Sequence, residues 1–190
     1  ARYVTLTDEQ FRMYSLLQQQ AMLLFEDGEI VSAPAVITQM LRIQQVLSGH
    51  LKTDDGEMKY FPSRRMDALK EILEEHNGKV IIWSRFRYDI IQITKMLNKE
   101  FGEGSAAAYY GDTTDDERQS IVQQFQSPGS GLRFFVGNPQ TAGFGLTLTA
   151  ASNVIYYSND FNLENRVQSE DRCHRIGQKN KVTYIDLMTR

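Results

Sequence analysis

At 190 residues, with 41% hydrophobic and 24% charged side chains, the chain suits one globular domain carrying a small appendage. Ordinary composition and only four prolines exclude a disordered chain. No apolar run approaches the roughly 18 residues of a membrane span, and ARYVTLTDEQ lacks a basic-then-apolar leader, so a soluble intracellular protein is expected. The net charge of −3 carries no global basic signature, so any nucleic-acid contact has to come from a local patch, weak in isolation. One cysteine, Cys173, permits no internal disulfide and no multi-thiolate zinc site, and no metal site is expected in this chain.

Thr7 followed by Gln10 has capping-box spacing, and Phe11, Tyr14, Leu17, Ala21 and Leu24 recur at helical intervals, which predicts a helix from about Thr7 to Phe25. EDGEIVSAP breaks it, and Val36, Met40, Ile43 and Leu47 mark a second helix ending before Gly49. The turn-rich LKTDDGEMKYFP reads as a connector or hairpin. After Pro62 the pattern changes. Leu69, Ile72 and Leu73 outline a helix closed by Asn77-Gly78, followed by the β-branched run KVIIWS. Helix 86–100, strand SAAAYY, helix 115–126 capped by Thr114 with Glu117, strands LRFFVG and NVIYYS, helix 163–175 and strand VTYIDLM complete the alternation. Short apolar strands separated by helices imply an α/β fold, a parallel sheet with helices on both faces. The expected division is a helical extension and connector over 1–62 and the α/β lobe over 63–190.

Open parallel sheets bind ligands beyond the carboxyl ends of their strands. Ser84-Arg85, Tyr110-Gly111-Asp112, Gly137 to Gly145 and Asn159-Asp160 occupy those positions. Gly143 and Gly145 allow close backbone approach to a ligand, but Leu148 stands where a dinucleotide fingerprint needs its third glycine. No GxxxxGK[ST] occurs, so the chain cannot by itself cradle a nucleotide's β- and γ-phosphates with magnesium.

QSEDRCHRIGQ, Gln168 to Gln178, gathers the most polarity. Asn162 caps a helix whose last turns carry Arg172 and Arg175, three apart and therefore neighbours, with Gly177 ending it. Two adjacent guanidiniums need anions: either Glu164, Glu170 and Asp171 within the chain, or the oxygens of a phosphate, which guanidinium forks match bidentately. Cys173 and His174, adjacent on a helix, form neither a thiol-imidazole pair nor a metal site.

These stretches together resemble the carboxyl-terminal motor lobe of SWI/SNF-type ATPases of helicase superfamily two, over nearly the whole chain. VTLTDEQFRMYSLL and LRIQQVLSGH resemble the family's inter-lobe segment, KVIIWSRF its motif IV, and YYGDTTDDERQSIVQQF the tyrosine-glycine segment that follows. GNPQTAGFGLTLTAASNVIYY resembles motif V and QSEDRCHRIGQ motif VI. The chain departs at Asn138-Pro139-Gln140, where many eukaryotic members carry serine-threonine-arginine, and at Phe161 and Leu163. At Asn138-Pro139-Gln140 it looks more like bacterial or phage members, which implies a bacterial or phage-infected cytoplasm.

The resemblance implies a RecA-like lobe closing on a separate amino-terminal lobe of the same parent chain, and so a fragment of a longer protein. ATP with Mg2+ would be held mainly by that first lobe, with double-stranded DNA across the motor. Arg172 and Arg175 would be arginine fingers, and Gln168, Gly143 and Gly145 would complete the nucleotide site. Ser84, Arg85, Gly111, Asn138, Gln140 and Thr141 would lie along the DNA. The parent would be an ATP hydrolase and this chain alone inactive. A strand-separating helicase of DNA or RNA and a non-hydrolysing binding module are the competing readings.

Overall fold

The computed structural model describes residues 1–26, 33–141 and 146–190. These divide into two compact units, 3–68 with 188–190, and 1–2 with 69–187.

The smaller unit is built from α1 (Asp8–Glu26), α2 (Ala33–Ser48) and an antiparallel hairpin of β2 (His50–Lys52) and β3 (Met58–Tyr60). The capping box forms as the spacing predicts. The Thr7 backbone N–H donates to Gln10 Oε1 (3.2 Å) and the Gln10 N–H donates to Thr7 Oγ1 (3.3 Å). Leu17, Val46, Leu51 and Phe61 form the core, with Met13, Tyr14 and Ile43 against it. Phe11, expected on the inner stripe, is 60% exposed. Its neighbour Gln10 is buried instead, because its amide donates to the Val46 carbonyl of α2 (2.8 Å) and draws the inner face of α1 round by one residue. Most of the predicted break EDGEIVSAP lies outside the described residues. Gly49, at φ +95°, makes the turn from α2 into the hairpin, where a Cβ would come within 2.9 Å of Ser63 Cβ.

In the larger unit the elements after α3 (Arg65–Glu75) are β4 (Val80–Trp83), α4 (Arg87–Phe101), β5 (Ala106–Tyr109), α5 (Asp115–Gln126) and β6 (Phe134–Gly137). Then follow β7 (Asn153–Tyr156), α6 (Leu163–Asp171) and β8 (Thr183–Thr189). With β1 (Arg2–Val4), which the sequence pattern does not announce, the sheet order is β1-β8-β7-β4-β6-β5. The pairs β8·β7, β7·β4, β4·β6 and β6·β5 are all parallel. Trp83 lies level with Gly137 and Tyr156, Tyr109 with Gly137, and Tyr156 with Asp186, so the carboxyl ends of five strands share one edge.

Alternate strand residues point to opposite faces. Ile81, Trp83, Phe135, Val154 and Tyr156 pack with Phe125 of α5 and with Cys173. On the other face the ring of Phe134 meets Phe101 of α4 (4.9 Å), beside the buried Ile90, Ile93 and Leu97 of that helix. The three-layer α/β expectation holds. Gly137 is a packing glycine: a Cβ there would lie 3.0 to 3.1 Å from the Phe135 and Trp83 rings and the Tyr109 carbonyl.

The ends of the larger unit's helices carry their own chemistry. Thr114 and Glu117 form the predicted capping box on α5. Thr114→Ala is expected to lower stability by about 1 kcal/mol, read as an earlier denaturant midpoint at unchanged slope. The Lys79 ammonium donates to the Phe125 (2.5 Å) and Ser127 (2.8 Å) carbonyls at the other end of that helix. The edge strand β5 is closed to further pairing at these groups. Asn98 accepts from the Ala106 N–H (2.9 Å) and donates to its carbonyl (3.1 Å), while Thr113 Oγ1 accepts from the Tyr110 N–H (3.1 Å).

Candidate functional site

Two groups of polar residues stand beyond the carboxyl ends of the strands. The first gathers around Asp160, after β7. Its carboxylate accepts from Asn165 Nδ2 (2.7 Å), Gln140 Nε2 (3.0 Å) and the Asn162 N–H (3.4 Å), and pairs with Arg85 Nη1 at 3.2 Å. Both charged side chains of that pair are largely buried, and the Arg85 guanidinium lies 5.5 Å from the Phe161 ring centroid. Asn138 bridges the same loops, donating to the Arg85 carbonyl (2.8 Å) and accepting from the Gln140 N–H (2.8 Å). Four of the residues expected along the DNA thus meet here, since Ser84 precedes Arg85. Ser84 itself is fully buried, its hydroxyl between Asp89 (3.2 Å) and Ser158 (3.0 Å), so in this conformation it braces the edge. Gly111 is exposed in the loop after β5, and Thr141 closes the described part of the loop after β6.

The second group is the arginine turn. Asn162 caps α6 as predicted, its side chain accepting from the Glu164 N–H (2.9 Å). The helix ends at Asp171, four residues short of the expected end. The reason lies in the neighbouring loop. The Leu148 N–H donates to the Arg172 carbonyl (2.9 Å), and Gln178 Nε2 donates to the carbonyls of Cys173 (3.3 Å), Thr149 (3.1 Å) and Ala151 (2.8 Å). Helix carbonyls are claimed by other chain segments, and Arg172 to Gln178 becomes a series of tight turns. Arg172 and Arg175 are therefore neighbours through a turn and not along a helix face.

Their environments differ. Arg172 is only 6% exposed, and its guanidinium makes no hydrogen bond or ion pair among the described residues. Burial and the adjacent Arg175 both pull its pKa below the ordinary arginine value, while it remains cationic. Arg175 is exposed and donates to Thr147 Oγ1 (3.2 Å) and the Leu146 carbonyl (3.4 Å), both uncharged acceptors. Thr147, Asp171, His174, Arg175 and Ile176 line an open groove of about 540 Å3. Of the three carboxylates expected as internal partners, Glu170 pairs with Arg166 (2.6 Å) and Glu164 accepts from Gln168 (2.9 Å), while Asp171 lines the groove and its charge acts to raise the Arg172 pKa, outweighed by burial and Arg175. Gln168, expected in the nucleotide site, makes that bond along its own helix one turn before Arg172. Gly143 and Gly145 lie outside the described residues. Burial raises the Cys173 pKa to about 12, which leaves the thiol inert at neutral pH. No metal-ligating cluster occurs among the described residues.

Arg166 and Asp186, which sequence reasoning passed over, fix α6 between the two groups. Arg166 donates to Asp186 Oδ1 of β8 (2.5 Å), Asn159 Oδ1 (2.9 Å) and Glu170 Oε1 (2.6 Å), and its guanidinium carbon lies 3.4 Å from the Tyr156 ring centroid. Burial alone would lower the Arg166 pKa, but the bonds to Asp186 and Glu170 raise it on balance. For Asp186, burial acts upward and is outweighed by the bonds from Arg166 and Asn159, which hold the carboxyl below its ordinary value. The signals were legible: a lone aspartate in the apolar strand VTYIDLM, and an arginine four residues before a glutamate.

Residues 64–177, well over half of the chain, match the family described as helicase conserved C-terminal domain. The ATP-dependent helicase fft3 of Schizosaccharomyces pombe is 32% identical over 163 residues, covering 84% of this chain and 17% of that protein. The human SWI/SNF-related matrix-associated actin-dependent regulator of chromatin subfamily A member 1 is 30% identical over 145 residues, covering 74% of this chain and 13% of that protein. The chain thus spans less than a fifth of these relatives' length. Among solved structures, the SWI2/SNF2 ATPase core of Sulfolobus solfataricus in complex with double-stranded DNA superposes with a TM-score of 0.78. It is 26% identical and covers 98% of this chain and 40% of that one. The C-terminal part of the Fun30 ATPase domain, 21% identical, shares the fold with a TM-score of 0.73, covering 100% of this chain and 84% of that one. The parallel sheet, the arginine turn and these matches together place the chain in the helicase conserved C-terminal domain family, as a RecA-like lobe of SWI/SNF type.

Proposed function

We propose that this chain is the second motor lobe of an ATP-dependent double-stranded DNA translocase, in which Arg172 and Arg175 reach across a cleft to ATP held with Mg2+ mainly by an amino-terminal lobe. The observation that carries this reading is Arg172, a nearly buried residue whose guanidinium has no acceptor among the described residues, beside a second guanidinium held among them only by uncharged oxygens. A cation in that setting is unfavourable in the lobe alone and favourable once phosphate oxygens arrive, because a guanidinium fork matches them in geometry and charge. Gln168, one turn earlier on α6, can turn from Glu164 toward the same groove. Arg85, Asn138, Gln140 and Thr141, with the exposed Gly111, form the DNA-facing edge, and Ser84 positions it from beneath.

The lobe has no Walker lysine and is expected to hydrolyse no ATP by itself. DNA-stimulated ATP turnover of the intact parent, measured with Arg172 and Arg175 replaced, tests the proposal. Undiminished turnover leaves the non-hydrolysing binding module as the reading. Translocation is separated from strand separation by two substrates: the parent is expected to displace the third strand of a triplex while leaving a plain duplex intact. The bacterial or phage origin and cytoplasmic setting rest on Asn138-Pro139-Gln140 alone, against curated relatives that are eukaryotic.

A further inference from the structure

Asp160 holds a position no ordinary surface carboxylate holds. Four donors from three stretches converge on its two oxygens: Arg85 after β4, Gln140 after β6, and, in the stretch that carries Asp160 itself, the Asn162 N–H before α6 and Asn165 within it. A guanidinium, two amides and a backbone N–H around one anion is the donor set that a phosphodiester oxygen pair takes. Two of those donors, Arg85 and Gln140, belong to the edge read above as facing DNA. The carboxylate side chain is only 12% exposed and the guanidinium 20%, so the pair is screened little by solvent.

We infer that Asp160 is a resident stand-in for phosphate, holding Arg85 and Gln140 in their binding geometry and competing with the DNA backbone for them. This rests on the DNA reading of that edge. The carboxylate keeps the donors ordered in the free lobe, and a backbone phosphate engages them only by displacing it. Asp160 thereby weakens duplex binding and makes it reversible, as a motor that must release and rebind its track requires. The neutral isostere removes the competitor and leaves most of the donor geometry, since an asparagine oxygen still accepts from Asn165.

The test is equilibrium binding of the 190-residue chain to a fluorescent mixed-sequence duplex at several salt concentrations. Asp160→Asn is expected to bind about three- to tenfold more tightly and to steepen the log-log salt dependence by about one. Asp160→Ser, which also removes the charge, gives the same direction should the asparagine variant fold poorly. The gain is lost when Arg85→Ala is added. Glu103→Gln, the same charge change in an exposed loop before β5, leaves affinity within about twofold. Unchanged or weaker binding by both Asp160 variants overturns the inference, as does an equal gain from Glu103→Gln, which would be net charge alone. In either case duplex binding that still falls with Arg85→Ala preserves the DNA reading. Absence of duplex binding in every form overturns that reading and the inference together.

Discussion

Alanine at Arg172 in the intact parent is expected to lower DNA-stimulated ATP turnover by about 10³-fold, and alanine at Arg175 by a similar factor. An arginine aimed at a transferring phosphoryl group stabilises charge that develops only in the transition state, so kcat falls while ATP affinity moves much less. Lysine at either position is expected to restore little, because an ammonium cannot make the two parallel bonds of a guanidinium. A second readout excludes a merely structural role for Arg172. A nearly buried cation with no acceptor among the described residues adds little to the stability of the lobe that holds it. Arg172→Met is therefore expected to melt no lower than the native chain while its parent loses turnover. A variant that lost both together would make Arg172 a strut of the fold.

The Arg166–Asp186 clasp makes the opposite prediction. Each partner has about a quarter of its side chain exposed, and each is satisfied by bonds from more than one element. Removing one leaves the other charged in a half-buried site, so Arg166→Met or Asp186→Asn is expected to destabilise the chain by about 2 kcal/mol. That is below the range for fully buried pairs because water reaches this one. In a lobe of this size it corresponds to a melting temperature lower by about 4 to 8 °C. The double replacement Arg166→Met with Asp186→Leu is expected to recover most of the loss, since no charge is then stranded. The pH dependence has a fixed sign. The folded-state pKa of Asp186 is depressed, so its contribution is present above the ordinary carboxylate value near about 4 and is lost as pH falls through the folded value. Melting curves of the native chain and Asp186→Asn are therefore separate at neutral pH and converge in acid. Curves that stay equally far apart at low pH would contradict the ion-pair account.

The helix starts were readable because caps are local chemistry. Thr7 with Gln10, Thr114 with Glu117, and Asn162 each supply a side-chain acceptor to a backbone N–H two or three residues on, and all three form as the spacing predicts. The strands were readable for a similar reason. VIIW, FFV and VIY are continuous apolar runs, which strands buried on both faces tolerate. The end of α6 was not readable. Nothing in the helical pattern of SEDRCHRI forbids another turn, and the helix stops where the Leu148 N–H and the Gln178 amide, both outside it, take the carbonyls of Arg172 and Cys173. Phe11 was misplaced for the same kind of reason, a buried hydrogen bond from Gln10 to another helix outweighing apolar periodicity.

The arginine pair follows the same division. Its presence, its spacing and the absence of a phosphate loop are properties of the string of residues, and the proposed class of chemistry rests on them. That Arg172 is buried with no acceptor among the described residues while Glu170 is claimed by Arg166 was decided only when α6, β7 and β8 packed together. The arrival of Arg85 and Gln140 at Asp160 was decided the same way, by loops 75 and 20 residues away in sequence meeting it at one sheet edge, whereas Asn162 and Asn165 are its near neighbours. Caps and buried strands need only near neighbours in sequence, whereas the partner of a charge is whichever group the fold brings within reach.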